Sequence, residues 1–233
     1  MQNSVFVVVA MQVLAAALLP SAAIQSASAP DFGIMVVGIA SDDEIIAAGV
    51  PLSSGPWGTD YITVSHALSV RSRYGLARDG YARTEAKPVA ACSAQFHSID
   101  VLILRVGEHT NTPTVDWGDP TLLGLGDELV IFPRREFHPK PVAVKFVNLD
   151  LREWTKSEPG VWSVEFRHVM VGDGLSKPGF SGSPWVRDGK VYGLHKGAVR
   201  PRERNKWFPV AETATNVFQC LKLIHYEELV PKQ

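Results

Sequence analysis

The chain has 233 residues, room for one domain of about 200 residues and a short additional segment. Its 23 Lys+Arg and 24 Asp+Glu leave a formal net charge of −1, which excludes the strong basic excess of a dedicated nucleic-acid binder. With 45% hydrophobic and 20% charged residues, 19 Gly and 16 Pro, it is also neither a disordered nor a collagen-like chain.

Residues 1–30 form a segment of their own. No charged side chain occurs from Met1 to Pro30, and Val5 to Leu19 is apolar apart from Gln12. A run of ~15 residues falls between a signal-peptide core and the ~20 residues of a membrane span. Extension through Ala22, Ala23 and Ile24 brings it near spanning length, with Pro20 inside. Only Met1 to Ser4 precede the run, so the basic start of a bacterial signal peptide is missing. Ser21-Ala22-Ala23 and Ala27-Ser28-Ala29 each offer a small-residue cleavage site, the second with Pro30 in a poor position directly after the cut. The expectation is a hydrophobic membrane anchor or signal segment over 1–30, ahead of one domain over 31–233. Membrane association follows from the first reading and secretion from the alternative.

Beyond Pro30, short apolar and β-branched runs alternate with turn signals. Strands are predicted over Gly33–Ile39, Ile45–Leu52, Tyr61–Val64, Val101–Val106, Glu128–Phe132, Val142–Val147, Val161–Phe166 and Lys190–Leu194. Turns fall at Ser53–Pro56, Trp117–Pro120, Gly124–Asp127, Glu158–Gly160 and Asp188–Gly189. Many short strands with Gly/Pro turns point to an all-β sandwich or barrel and away from a βαβ sheet. One helix is expected near the C-terminus, capped by Thr213, Thr215 or Asn216, with Val217, Leu221, Ile224 and Tyr226 as its apolar stripe. Cys92 and Cys220 form no CxxC or Cys/His metal spacing, so no metal site is expected. They can pair once, but a secreted domain held by disulfides normally carries more, and the pattern favours unpaired cysteines.

Three short segments carry the chemistry. Gly179-Phe180-Ser181-Gly182-Ser183-Pro184 sets a serine among glycines. A serine hydroxyl attacks only when a base takes its proton and the oxyanion formed is stabilised. Glycines beside it let the amides of Gly179 and Ser181 point at one spot. His66 follows the strand Tyr61–Val64, and Asp100 opens the strand Val101–Val106. Each alone reads equally as a structural histidine, a turn aspartate or a Gly/Ser turn. Together, in the order His66, Asp100, Ser181, they form the set that a hydroxyl nucleophile requires.

On these residues the chain resembles the chymotrypsin-like serine proteases over roughly residues 33–225. Thr63-Val64-Ser65-His66 is similar to the family's T-A-A-H segment, Asp100 with Val101 to Leu104 to its D-[IV]-x-[LV]-L segment, and Gly179 to Pro184 to its G-x-S-G-G-P segment, with Ser183 in place of a glycine. The resemblance implies two six-stranded antiparallel β-barrels with a C-terminal helix. It also implies His66 as general base, Asp100 as the residue that orients it, Ser181 as nucleophile, and the Gly179 and Ser181 amides as oxyanion hole. No cofactor is implied. The expected partner is a polypeptide substrate, with no specific nucleic acid. Phe180 stands where animal digestive members carry an aspartate that pairs with a new N-terminus. Phenylalanine cannot form that ion pair, so activation by it is excluded.

Gly193-Leu194-His195-Lys196-Gly197 is similar to the G-[IVM]-H-x-G of glutamyl endopeptidases, picornaviral main proteases and sobemovirus-type proteases. There the histidine binds a Glu or Gln side chain, which implies a pocket of His195 with Ser176 and Asn205. Hydrogen-bond donors of these types suit a carboxylate or carboxamide. Arg200 to Lys206 reads as a solvated basic loop that can also steer acidic substrates toward Glu cleavage. Two settings fit the resemblance: a membrane-tethered protease of a viral polyprotein, or a bacterial secreted glutamyl endopeptidase. A protease fold that only binds, without catalysis, is the alternative of another class.

Overall fold

The structure, a computed structural model, describes residues 36–41, 44–68, 74–77, 84–92, 99–109, 111–133, 140–149, 169–200 and 205–231. The hydrophobic segment 1–30, the start of the first predicted strand, and the predicted turn and strand over 158–166 lie outside them. Among the described residues no helix is long and apolar enough to cross a membrane.

Six strands form the first barrel: β1 (Val37–Ser41), β2 (Glu44–Gly55), β3 (Gly58–Thr63), β4 (Tyr74–Ala77), β5 (Thr84–Cys92) and β6 (Val101–Val106). They are hydrogen-bonded in the order β1-β2-β3-β6-β5-β4, and β4 returns to β1 to close the ring. Side chains alternate between the two faces of a strand. In β6, Leu102, Leu104 and Val106 therefore fill the barrel with Val37, Ile39, Tyr61 and Leu76. Val101 on the opposite face joins a second cluster with Val50, Ile62, Val64, Leu194 and Val217. This second cluster draws on both barrels and the C-terminal helix. Burial on both faces makes Val101 to Leu104 of β6 a continuous apolar run.

The second barrel comprises β8 (Glu128–Ile131), β9 (Val142–Asn148), β10 (Val169–Gly174), β11 (Pro184–Arg187), β12 (Lys190–Val199) and β13 (Phe208–Thr213). Its order is β11-β8-β9-β10-β13-β12, closed by the β11–β12 hairpin. A two-residue strand, β7 (Asp116–Trp117), adds to β12 in parallel. Leu129, Ile131, Val144, Phe146, Met170 and Trp185 fill the interior.

Helix α1 (Ala214–Leu223) leaves β13 directly, and the Thr213 hydroxyl accepts from the Asn216 N–H as its cap. Tyr226, expected on the same stripe, instead begins a separate turn, α2 (Tyr226–Leu229). Its hydroxyl donates to the buried Asp60 carboxylate at 2.6 Å. Arg105 grips the same carboxylate with two bonds of 2.8 and 2.9 Å.

Of the two states the sequence leaves open for its cysteines, the structure shows the paired one, which the pattern disfavours. Cys92, at the end of β5, and Cys220, in α1, form a disulfide with Cα atoms 5.9 Å apart. Residues 128 apart in sequence meet here, a proximity that spacing alone does not reveal. β2 also runs past the turn predicted at Ser53 and reverses at Pro56–Trp57.

Candidate active site

The junction of the two barrels brings the three predicted residues together. His66 lies in a 3-10 turn (Ser65–Leu68) after β3, and Asp100 immediately precedes β6. Ser181 sits in the loop between β10 and β11. His66 Nε2 is 3.1 Å from Ser181 Oγ, and His66 Nδ1 is 2.5 Å from Asp100 Oδ2. The other carboxylate oxygen, Oδ1, accepts from the His66 main-chain N–H at 2.9 Å and from the Ser65 hydroxyl at 2.5 Å. His66 is 43% exposed and Asp100 only 1%, so the base is open to a substrate while the acid is sealed. Burial pushes the Asp100 carboxyl up. The hydrogen bond and charge of His66, the Ser65 hydroxyl and the Lys196 charge outweigh it and hold the group at about 2. It therefore stays an anion across ordinary pH, fixing the Nδ1–H tautomer and leaving Nε2 to accept from the serine.

Both barrels shape the nucleophile loop. The Ala48 N–H of β2 donates to the Ser181 carbonyl at 2.7 Å, and the Gly182 N–H donates to the His195 carbonyl of β12 at 2.8 Å. Gly182 has φ +74°, and a Cβ there would lie 2.0 Å from the Ala48 carbonyl oxygen. Only glycine fits. Ahead of the serine, the Phe180 N–H donates to the Lys177 carbonyl, closing a turn over Lys177-Pro178-Gly179-Phe180. Proline presets its second position and Gly179, at φ +89°, supplies the positive φ of the third. Among the described residues, neither the Gly179 nor the Ser181 N–H donates to another group.

His195 lies on β12 and is 1% exposed. Trp185 Nε1–H donates to His195 Nδ1 at 3.3 Å, and Ser176 Oγ is 3.0 Å from Nε2. An indole nitrogen only donates, so Nδ1 is the acceptor and the proton sits on Nε2, directed at Ser176. Burial first, and the His66 charge second, push the imidazole down to about 3. The ring is therefore neutral in ordinary solution, and any preference it confers comes from hydrogen bonding rather than charge. Phe180 packs edge-on against the same ring. Asn205, by contrast, is exposed, and its Oδ1 accepts from Arg200. Lys206 pairs with Asp173, and residues 201–204 of the basic loop lie outside the described residues.

No protein-family model matches the sequence, and no curated protein sequence does. Solved structures do resemble it. Rv3671c from M. tuberculosis, in an inactive form, is similar with a TM-score of 0.64 and 21% identity, over 84% of this chain and 89% of that one. The MamO protease domain from Magnetospirillum magneticum gives 0.61 and 16%, over 79% and 94%. The HtrA-type protease AlgW with decapeptide gives 0.59 and 16%, over 77% of this chain and about half, 52%, of AlgW. The fold is the chymotrypsin-like double barrel. At these identities the likeness is one of fold.

Within this chymotrypsin-like frame, four site residues escaped the sequence reading. Ser65 stands inside the His66 motif, where a hydroxyl beside a candidate base is a signal for a bond to its acid. Trp185, Lys196 and Glu212 gave no comparable signal, since strand positions buried on both faces look alike in sequence. Glu212 is fully buried. Its Oε2 accepts from the Asp100 N–H and from Lys196 Nζ, each at 2.9 Å. Its Oε1 accepts from Asn216 Nδ2 at 2.5 Å.

Proposed function

We propose that the chain is a serine endopeptidase. The observation that carries this reading is the continuous chain of hydrogen bonds from Asp100 through His66 to Ser181, with the histidine open to solvent and the acid sealed. In the reaction, Ser181 Oγ attacks the carbonyl carbon of the scissile peptide while its proton passes to His66 Nε2. Asp100 stabilises the imidazolium that results. The Gly179 and Ser181 amides donate to the oxyanion of the tetrahedral intermediate. As the C–N bond breaks, His66 returns the proton to the leaving amine and the acyl-enzyme remains. Water then attacks the acyl carbon with His66 again as base, releasing the acid and regenerating Ser181.

For specificity we propose cleavage after Glu or Gln, read by Ser176, His195 and Asn205. The chain Trp185 N–H to His195 to Ser176 supports a site that donates to a side-chain oxygen without a formal charge of its own. A neutral ring removes the histidine's part in favouring Glu. Arg200 and Lys206 are then the described cations of the basic loop left to favour the anion, each already engaged. Discrimination therefore falls mainly between these two side chains and all others. The expected setting is membrane association through residues 1–30. The Cys92–Cys220 disulfide supports an oxidising compartment, and so favours a secreted or externally tethered protease over one processing a viral polyprotein in the cytosol.

The test is cleavage-site profiling of the protein on a peptide library by mass spectrometry. Cuts concentrated after Glu and Gln, and lost with Ser181→Ala, support the reading. Cuts after Arg, Lys or aromatic residues would remove the pocket assignment and leave the peptidase, and no Ser181-dependent cuts would remove both.

A further inference from the structure

Lys196 and Glu212 are a buried ion pair that the peptidase chemistry above does not use. Their charged ends meet at 2.9 Å with side chains only 3% and 0% exposed. Burying two charges is costly unless the geometry and remaining hydrogen bonds are good, and a well-packed apolar pair often serves a fold as well. Here the carboxylate that Lys196 holds also reaches the acid of the active site. Glu212, on β13 of the second barrel, accepts the main-chain N–H of Asp100, which belongs to the first. Asn216, in the first turn of α1, holds the other carboxylate oxygen.

The backbone around Lys196 is irregular in a way that serves this aim. Against β13, His195 stands opposite Ala211 and Gly197 opposite Val210, so Lys196 is the extra residue of a β-bulge. In a regular strand two consecutive side chains point to opposite faces. At this bulge both His195 and Lys196 are buried, the histidine toward Trp185 and Ser176 and the lysine toward Glu212. Bulges re-aim side chains next to functional sites. The one at Lys196 lets a single strand serve the pocket and the acid at once.

We propose that Lys196 and Glu212 are a positioning pair for the active site: Glu212 fixes the Asp100 main chain across the barrel junction, and Lys196 fixes Glu212. The groups that face Asp100 are then His66 and Ser65 on its carboxylate, Glu212 on its N–H, and the Lys196 charge behind. The pair touches neither substrate nor the reacting atoms; it acts through Asp100 on the orientation of His66. This rests on the peptidase reading for its effect on rate, but not for its effect on the His66–Asp100 hydrogen bond.

The experiment replaces the pair by apolar residues, Lys196→Met with Glu212→Leu, and compares it with Lys196→Met with Glu212→Gln, which restores an acceptor for the Asp100 N–H. In each full-length protein the low-field proton resonance of His66 Nδ1–H is recorded, and kcat/KM is measured per site labelled by a fluorophosphonate. The expected result is a shifted or lost resonance in the first variant and partial recovery in the second. The fall in kcat/KM per labelled site is on the order of 10- to 100-fold, the scale of a small misplacement of catalytic groups. A resonance unchanged from the parent in the first variant overturns the proposal, whatever the rate. Should the first variant not fold, the second is read against the parent by the same rule. A shifted resonance in a protein that cleaves no peptide sustains the positioning pair and removes the peptidase reading.

Discussion

His195 is held neutral by its surroundings, so replacing it should change how stability depends on pH. An unfolded histidine has a pKa near ~6.5, whereas burial, with the His66 charge, pushes His195 down to about 3 in the folded chain. Between those values the unfolded chain binds a proton that the folded chain refuses. The stabilisation linked to the neutral ring is therefore full above the unfolded value and is lost progressively as pH falls toward the folded one. From pH 7 to pH 5 the linkage relation gives a loss of about 2 kcal/mol from this group alone. That figure hardly depends on the folded value, provided it lies well below 5. His195→Gln keeps an oxygen for the Trp185 N–H but does not titrate. Urea unfolding at 25 °C, followed by tryptophan fluorescence at pH 7, 6 and 5, should show the variant losing about 2 kcal/mol less than the parent over that range. Equal losses would mean that the folded ring protonates freely and that the hydrogen bond from Trp185 is not made.

Other parts of the structure are open to simpler tests. Cys92→Ala with Cys220→Ala releases a loop closed over 128 residues, and chain entropy puts the cost at about 5 kcal/mol, measurable as a lower urea midpoint. His66→Ala should leave the circular dichroism spectrum intact and lower kcat by several powers of ten, roughly a million-fold in the best-studied serine protease; ordinary turnover would remove its role as base. A chain beginning at Asp31 should fold and cleave as the full chain does, because the described strands begin at Val37. The full chain alone should sediment with lipid vesicles, and loss of folding on truncation would place residues 1–30 in the core instead.

What could be read from the sequence follows how each element meets its surroundings. β6, β8 and β9 appeared close to their observed bounds because apolar residues dominate or alternate in them without interruption. β5 escaped notice because it mixes Lys87 and Pro88 with alanines and is exposed at several positions. β11 begins with Pro184, β10 ends in Gly-Asp-Gly, and β13 contains Pro209 and Glu212 although all six of its residues are buried. Such residues signal turns or surface in isolation and become tolerable only inside a closed barrel. His66, Asp100 and Ser181 were legible because chemistry fixes both their types and their order. The Lys196–Glu212 pair was not, since a bulge and a contact across the junction leave no periodic trace. Nor was the disulfide, whose two cysteines lie on elements that only the folded chain brings together.

Peptidase chemistry at this site depends on Ser181 being a hydroxyl activated by His66. Intact-protein mass spectrometry after exposure to a fluorophosphonate tests it directly. One phosphonyl adduct, mapped to Ser181 and absent from both Ser181→Ala and His66→Ala, is the predicted result. A well-folded parent that takes up no label, or labels equally in the His66→Ala variant, would contradict it.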